Sequence, residues 1–448
     1  MRLEYIFFRL LRFFFRIEFG YKILAIYIRF RIKPLGATKS RGGPKLLLLH
    51  HGRFKDDVRV INEKTSLTFY PLDMYLFRYI NSIYLTNSVI IEFHKYIDDE
   101  KSLKNYICGS KIVDEAFWNQ VNLIAKVLGQ LKKNKIINAI TSPNFSYLHD
   151  QTWQYGANLA NVPFVALHKE CNRDKKVIQR FSEIYKKYSY PFKGKYISVY
   201  NENEKKCIVN SGIASGEQVV VNGCPRQDDS FDYFNNSKFP RHNNYVTFFS
   251  FRPLIAGMRT KDENNRGFSK SGGGFEELFN KSHAAFAELA IQNSEIKFVI
   301  KLKYKSSWYE KIDMAIKKYC QKKMEDIPNL ILTSEVDAVD LIKKSILIYG
   351  INSTTMLESR IFGRPVIVPV FEEASGIHKD KVYYQEYFGR DFITASSPEE
   401  FIQLGQKILD EKPDFNIPNK GLLEEFLGYT DGLSSERVEK LFYKVCNN

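Results

Sequence analysis

The chain of 448 residues has room for about two or three domains, and a hydrophobic fraction of 44%, with 35 Phe and 27 Tyr, excludes disorder as its general state. Its formal net charge of +15 calls for an anionic partner; with no helix-turn-helix, zinc-finger or aromatic-basic RNA-binding pattern, an anionic small substrate and a membrane surface account for that charge better than nucleic acid does. Six cysteines, at positions 108, 171, 207, 224, 320 and 446, form no C-x-x-C pair and have no histidine at zinc-ligand spacing, which points to reduced thiols in a cytoplasmic setting and to no structural metal.

Residues 1–33 hold eight Arg or Lys against two Glu. At about 100° per residue, Arg2, Arg9, Arg12 and Arg16 share one helix face and leave Ile6, Phe7, Phe14 and Phe15 for lipid or core. After Gly20, Lys22, Arg29 and Lys33 gather on a second, rotated face. The charges rule out a transmembrane span of about 20 apolar residues, and no signal-peptide cleavage pattern follows. The arm, residues 1–35, is expected to lie on an anionic membrane surface, where basic residues contribute roughly 1 kcal/mol each. The alternative is an amphipathic helix docked on its own protein.

The first buried strand is expected at 45–50, ending in His50 and His51 at the carboxyl edge of a sheet. A Lys-rich, partly helical region follows, with helical spacing over 115–132. Strand 136–140, helix 151–161 and strand 162–167 make a β-α-β unit, and strand 195–200, helix 202–211 and strand 219–223 repeat it. Residues 226–244 are polar and rich in Asp, Asn and Ser, as expected of a linker. A second series opens at 245–250 and continues through helix 276–292, strand 296–302, helix 308–322, strand 330–333 and helix 337–344. Its long connection, 255–274, carries Arg259, Lys261, Arg266, Lys270 and the run Gly272-Gly273-Gly274, the makings of a mobile functional loop. Helices over 398–411 and 433–445 are expected to pack back on the structure. The divisions are thus 36–230, 245–395 and 396–448, two doubly wound parallel sheets whose carboxyl edges would face each other across a cleft suited to a two-substrate reaction.

The densest signal lies at 349–369, where an apolar strand ends at Gly350, the preferred N-cap types Asn352, Ser353 and Thr354 precede Glu358, and Gly363 with Pro365 stops the helix before another strand. The first turn of such a helix offers unpaired N–H groups and the positive end of its dipole, with hydroxyls on Ser353, Thr354 and Thr355 aimed the same way, so an anion is a natural guest. Because the dipole is worth only about 0.3–1 kcal/mol, added cations are required. The other reading is that these residues merely cap a structural helix.

The run from Tyr200 to Lys206, the run from Asn222 to Arg226, the 352–358 motif and Gly363-Arg364-Pro365 together resemble the GT-B glycosyltransferases of bacterial surface-polysaccharide assembly, best over 136–230 and 296–370. Similar patterns occur in CDP-glycerol glycerophosphotransferases and in capsule and lipopolysaccharide enzymes that use CMP-activated Kdo or sialic acid. In the latter, a Lys-x-His-Pro strand end and a Ser-Ser or Ser-Thr helix start serve the nucleotide phosphate. Here Ser353-Thr354 matches the second, whereas the first is Lys301-Leu302-Lys303-Tyr304, with Lys303 where the histidine would stand. The resemblance implies a metal-independent transferase without a resident cofactor, moving a sugar from a nucleotide donor, Kdo or a related ulosonic acid from CMP among them, to a lipid-linked glycan at the cytoplasmic face of the membrane. Its donor side would comprise Lys301, Lys303, Asn352, Ser353, Thr354, Thr355, Glu358, Arg252 and Arg226, the arginines being suited to phosphate or carboxylate. On the acceptor side Glu170 is the first candidate for general base, Asp150 the second, and His168 a sugar or acceptor contact; Glu170 paired with Lys169 or Arg173 is the bland alternative. Glycerophosphotransfer, UDP-sugar 2-epimerisation and a noncatalytic scaffold that binds nucleotide or glycan are the other functions weighed.

Overall fold

The computed structural model describes residues 14–36, 42–49, 54–98, 109–236, 244–255, 273–303, 308–411 and 419–447. The chain forms two units, one of residues 1–229 with 424–448 and the other of 230–423.

In the first unit six strands lie in the order β2-β1-β3-β4-β5-β6, every pair parallel: Lys45–Leu48 (β1), Thr68–Pro71 (β2), Ala139–Ser142 (β3), Phe164–Leu167 (β4), Tyr196–Val199 (β5) and Val219–Val221 (β6). Leu46, Leu47 and Leu48 are wholly buried, which is why β1 reads as a continuous apolar run instead of alternating. The Lys-rich region contains β2 and three helices, Lys55–Lys64, Met74–Asn81 and Asn87–Asp98, that periodicity had not separated. One face of the sheet is closed by the chain's last helix, Ser434–Asn447: Val438, Leu441, Phe442 and Val445 pack with Leu46, Leu48, Phe69, Val165 and Leu167. Asp228 fixes where that helix starts, accepting from the backbone N–H of Ser434 (3.0 Å) and Ser435 (2.8 Å). The expected linker is therefore partly a helix, Asp228–Asn235, because its acidic residues fall in a first turn, where they suit the dipole.

The second unit has the order β12-β11-β10-β7-β8-β9, again all parallel: Tyr245–Phe249 (β7), Lys297–Lys301 (β8), Leu330–Thr333 (β9), Ser345–Gly350 (β10), Val366–Pro369 (β11) and Ile393–Ala395 (β12). The chain starts in the middle at β7, runs outward through β8 and β9, then crosses to β10 on the other side. The strand order reverses between β7 and β10, and ligands bind outside the carboxyl ends of strands at such a switch. Register locates that edge, since Gly350 pairs with Phe249, Phe249 with Lys301, and Lys301 with Thr333.

In the arm, Phe14 is half exposed at 51% whereas Phe15 is buried and meets Tyr79 at 6.3 Å between ring centroids. Gly20 lets the chain fold tightly here, because a Cβ at that position would collide with the backbone of Phe14 and Phe15. Arg2, Arg9, Arg12, Ile6, Phe7, His50, His51 and the cations of the 255–274 loop lie outside the described residues.

Candidate functional site

Beyond the Gly350–Phe249–Lys301 row, the second unit presents Asn352 and Ser353 after β10, Ser250 and Arg252 after β7, and Lys303 after β8. Ser353 is the N-cap of the Thr354–Ile361 helix: its Oγ accepts from the Thr355 N–H at 3.2 Å and lies 2.7 Å from Thr355 Oγ1. Ser353, Thr354 and Thr355 are half-buried, and the helix axis starts at the switch point. Lys303 is exposed and Arg252 half-buried.

Three residues grouped on the donor side, Asn352, Glu358 and Lys301, are engaged or enclosed locally. Asn352 adopts a left-handed conformation, φ 53°, and its side chain is bonded at both ends: Nδ2 donates to the Lys381 carbonyl and Oδ1 accepts from the Tyr383 N–H, each at 2.8 Å. Its amide thus ties the 381–384 segment to the motif. Glu358 is buried on the inner side of its helix, past the first turn. Lys301 Nζ donates to the carbonyls of Leu302 (2.8 Å) and Ser334 (3.1 Å); burial lowers its pKa, with the Asp337 charge opposing. It closes the strand ends, and Lys303 is the more accessible cation.

The reading of the sequence missed His283. Its ring lies among Phe248, Phe251 and Phe279, with centroids 4.7, 6.0 and 4.2 Å away. Nδ1–H donates to the Phe279 carbonyl (2.6 Å), so Nε2 accepts from the Ser250 hydroxyl (2.8 Å). Burial brings its pKa down to about 4, so the ring is neutral and holds Ser250 at the carboxyl edge. Nor is the helix that follows β7, Glu276–Gln292, open to an anion at its start: Glu373 accepts from the N–H groups of Glu277 and Leu278, both at 2.9 Å. The Thr354–Ile361 helix carries no such acid in its first turn.

In the first unit the three acceptor-side candidates part company. Glu170 is exposed just past β4 and accepts from the Tyr147 hydroxyl at 2.7 Å, a partner different from the cations expected. Asp150 is fully buried and accepts from the Ser142 hydroxyl at the end of β3. His168 is fully buried in a network that spacing could not reveal. Tyr185 donates to Glu204 Oε1 (2.5 Å), and His168 Nε2 lies 3.2 Å from the Tyr185 hydroxyl and 3.3 Å from Glu204 Oε1. Arg173 Nε is 3.6 Å from Glu204 Oε2, its guanidinium stacked 3.6 Å over the Phe181 ring. Burial pushes the Glu204 carboxyl up, but the hydrogen bond and charge of His168, with Arg173 and Tyr185, more than offset this and leave its pKa below the usual value. Burial also drives the Tyr185 hydroxyl well above its ordinary pKa, and the Glu204 charge adds to it. The helix expected over 202–211 does start there, and Asn201 Oδ1 caps it by accepting from the Glu204 N–H at 2.9 Å; the long-range partners of Glu204 were not legible.

Arg226, expected on the donor side, belongs to this first unit. Its Nη1 is 3.8 Å from Asp57 Oδ2, and the Tyr200 hydroxyl donates to Asp57 Oδ1 at 2.7 Å. Burial raises the Asp57 pKa while the Arg226 charge opposes it.

No family model matches the chain, nor does any curated protein. Solved structures of similar fold do exist. A Listeria monocytogenes protein provisionally named UDP-N-acetylglucosamine 2-epimerase is 11% identical, with 88% of this chain and 95% of that one covered and a TM-score of 0.50. The UDP-GlcNAc 2-epimerase of Neisseria meningitidis, solved with UDP-GlcNAc, is 12% identical over 89% of this chain and 100% of its own, TM-score 0.49. A Rickettsia africae glycosyltransferase is 11% identical over 91% and 99%, TM-score 0.45. At such identities the likeness extends to the fold alone: two Rossmann-like, doubly wound parallel-sheet units of the GT-B class.

Proposed function

We propose that the chain is a nucleotide-sugar-dependent glycosyltransferase whose second unit holds the donor. The observation that carries this reading is the Ser353-capped helix start at the β7/β10 switch point, free of acidic side chains in its first turn and accompanied along the same edge by Arg252 and Lys303. The positive end of the helix dipole, hydroxyls and two cations suit a diphosphate or monophosphate leaving group, whose charge grows as the glycosidic bond breaks. The donor nucleotide is a UDP- or CMP-type group, with Kdo or a related ulosonic acid among the sugars, and the acceptor is a hydroxyl of a surface glycan. Glu170, the exposed carboxylate of the three acceptor-side candidates, is the proposed base; Asp150 and His168 are enclosed and act as supports.

UDP-sugar 2-epimerisation is the second reading, suggested by the activity after which the Listeria monocytogenes protein of similar fold is named. Glycerophosphotransfer from CDP-glycerol would use the same anion site. Purified protein is incubated with UDP-GlcNAc, CMP-Kdo or CDP-glycerol, with and without a glycan acceptor, and the nucleotide and sugar products are followed. Acceptor-dependent release of nucleotide supports transfer, and Glu170→Gln then lowers turnover by about 10²–10⁴-fold with nucleotide binding intact. Acceptor-independent conversion of UDP-GlcNAc to its C2 epimer replaces transfer with the second reading. Failure of every nucleotide to raise the melting temperature, where about 2.7 kcal/mol of stabilisation is due at 100 times Kd, removes the donor site altogether.

A further inference from the structure

Helix Gly20–Arg31 has two apolar faces. One is accounted for: Leu24, Ala25 and Ile28 are buried, the helix packs on the Lys111–Lys133 helix of the same unit, and Lys126 Nζ lies 5.8 Å from the centre of the Tyr21 ring. Two contacts seat the ends. Arg16 donates twice to the Ile83 carbonyl, from Nη2 at 2.5 Å and Nε at 3.2 Å, and Arg31 pairs with Asp73 at 3.3 Å.

The opposite face is a stripe of Phe19, Ile23, Ile26 and Phe30, which are 62%, 51%, 54% and 76% exposed. Spacings of four, three and four residues keep these side chains within about 60° of one another on the helix. Docking on the rest of the unit does not require them, since Leu24 and Ile28 supply that. A contiguous apolar stripe left in solvent marks a surface for a partner. Lys22 and Arg29 run along one flank, and Lys22 Nζ sits 5.1 Å over the Phe19 ring. Residues 14–33 carry five basic side chains and a single acid, Glu18. Among the described residues no helix is long and apolar enough to cross a membrane.

We propose that this stripe is a membrane-docking face: the helix lies in the plane of an anionic bilayer, with Phe19, Ile23, Ile26 and Phe30 inserted at the headgroup boundary and Lys22 and Arg29 on lipid phosphates. Charge complementarity selects this occupant. A second copy of the chain, stripe against stripe, would bring the same cations together, whereas an anionic leaflet neutralises them. The sequence suggested a membrane role for the arm as a whole and left Phe15 for lipid or core; Phe15 is in the core, and the exposed apolar stripe that would insert lies at residues 19–30. The inference stands independently of the nucleotide-sugar reading.

The test is flotation of the full-length protein with vesicles of equimolar phosphatidylcholine and phosphatidylglycerol, against vesicles of phosphatidylcholine alone, with oligomeric state measured by sedimentation equilibrium. The wild-type protein is expected to float with the anionic vesicles and to sediment as the same species as Ile23→Asn/Phe30→Asn, which does not float yet melts unchanged. Lys22→Ala/Arg29→Ala is expected to partition about 30-fold less, from roughly 1 kcal/mol per basic residue. Equal flotation with neutral vesicles, flotation unaffected by Ile23→Asn/Phe30→Asn, or a wild-type dimer that this variant turns into monomer without any vesicle binding would each overturn the proposal.

Discussion

At the carboxyl edge of the first sheet, Glu204 lies among His168, Tyr185 and Arg173, with His168 and Glu204 fully buried and Arg173 only 13% exposed. At the carboxyl edge of the second sheet the polar groups past the strand ends are small hydroxyls on Ser353, Thr354 and Thr355, half-buried like Arg252, with Lys303 exposed. Both edges belong to doubly wound sheets and both are rich in hydrogen-bonding groups, yet the first gathers buried charges around one carboxylate, whereas the second has a helix start with no acidic side chain in its first turn. On the proposed reading, strongly interacting titratable groups are therefore a poor guide to the site in this molecule. A buried carboxylate with several partners holds loops together, whereas a helix start without an acid beside it can take a phosphate.

The contrast can be broken most severely at Glu204. Glu204→Ala leaves His168, Arg173 and the Tyr185 hydroxyl without their shared acceptor in a buried setting, and the first unit is expected to lose about 3–5 kcal/mol. Hydrogen exchange over 164–204 reads this locally; a loss below about 1 kcal/mol would mean the network is not what holds that edge. Next comes the pH dependence of the second unit. The folded pKa of His283, about 4, lies below its ordinary value of 6.5, so the unfolded chain takes the proton more readily. The stability it confers is full above pH 6.5 and is lost as pH falls towards 4, roughly 3 kcal/mol in all. Exchange protection of the Glu276–Gln292 helix should follow that course, and His283→Phe should flatten it; an unchanged slope in the variant would assign the effect elsewhere. Smallest is the pair Arg252→Ala and Lys303→Ala. Each is expected to weaken nucleotide binding by about 1 kcal/mol, less in high salt, with stability altered by under about 0.5 kcal/mol. Equal weakening at all ionic strengths would argue against a Coulombic role.

Much of this architecture was legible from apolar runs and turn residues. The Glu276–Gln292 and Pro398–Glu411 helices fall where periodicity placed them, and the 349–369 motif folds as strand, cap, helix and strand. Such signals are local, since a strand buried on both faces and a Ser N-cap each declare themselves within a few residues. What was not legible depends on distance along the chain. Glu204 meets His168 only because β4 and β5 are neighbours in the sheet, and Asn352 is spent on Lys381 and Tyr383 because a later loop returns to it. The short strand β12 and the helix Asp228–Asn235 escaped because three residues, or a run of Asp and Asn, have too little apolar periodicity to register.

The central claim, that the helix start at Ser353 receives an anion, is tested most directly by calorimetric titration of UDP and CMP into the wild-type protein and Ser353→Asp. Aspartate caps a helix as well as serine does, so the variant should melt within about 0.5 kcal/mol of the wild type. Its carboxylate would stand against a bound phosphate, at a cost of about 3 kcal/mol or more, and affinity should fall by at least about 100-fold. A variant that binds nucleotide as tightly as the wild type would contradict the assignment and leave Ser353 as a structural cap.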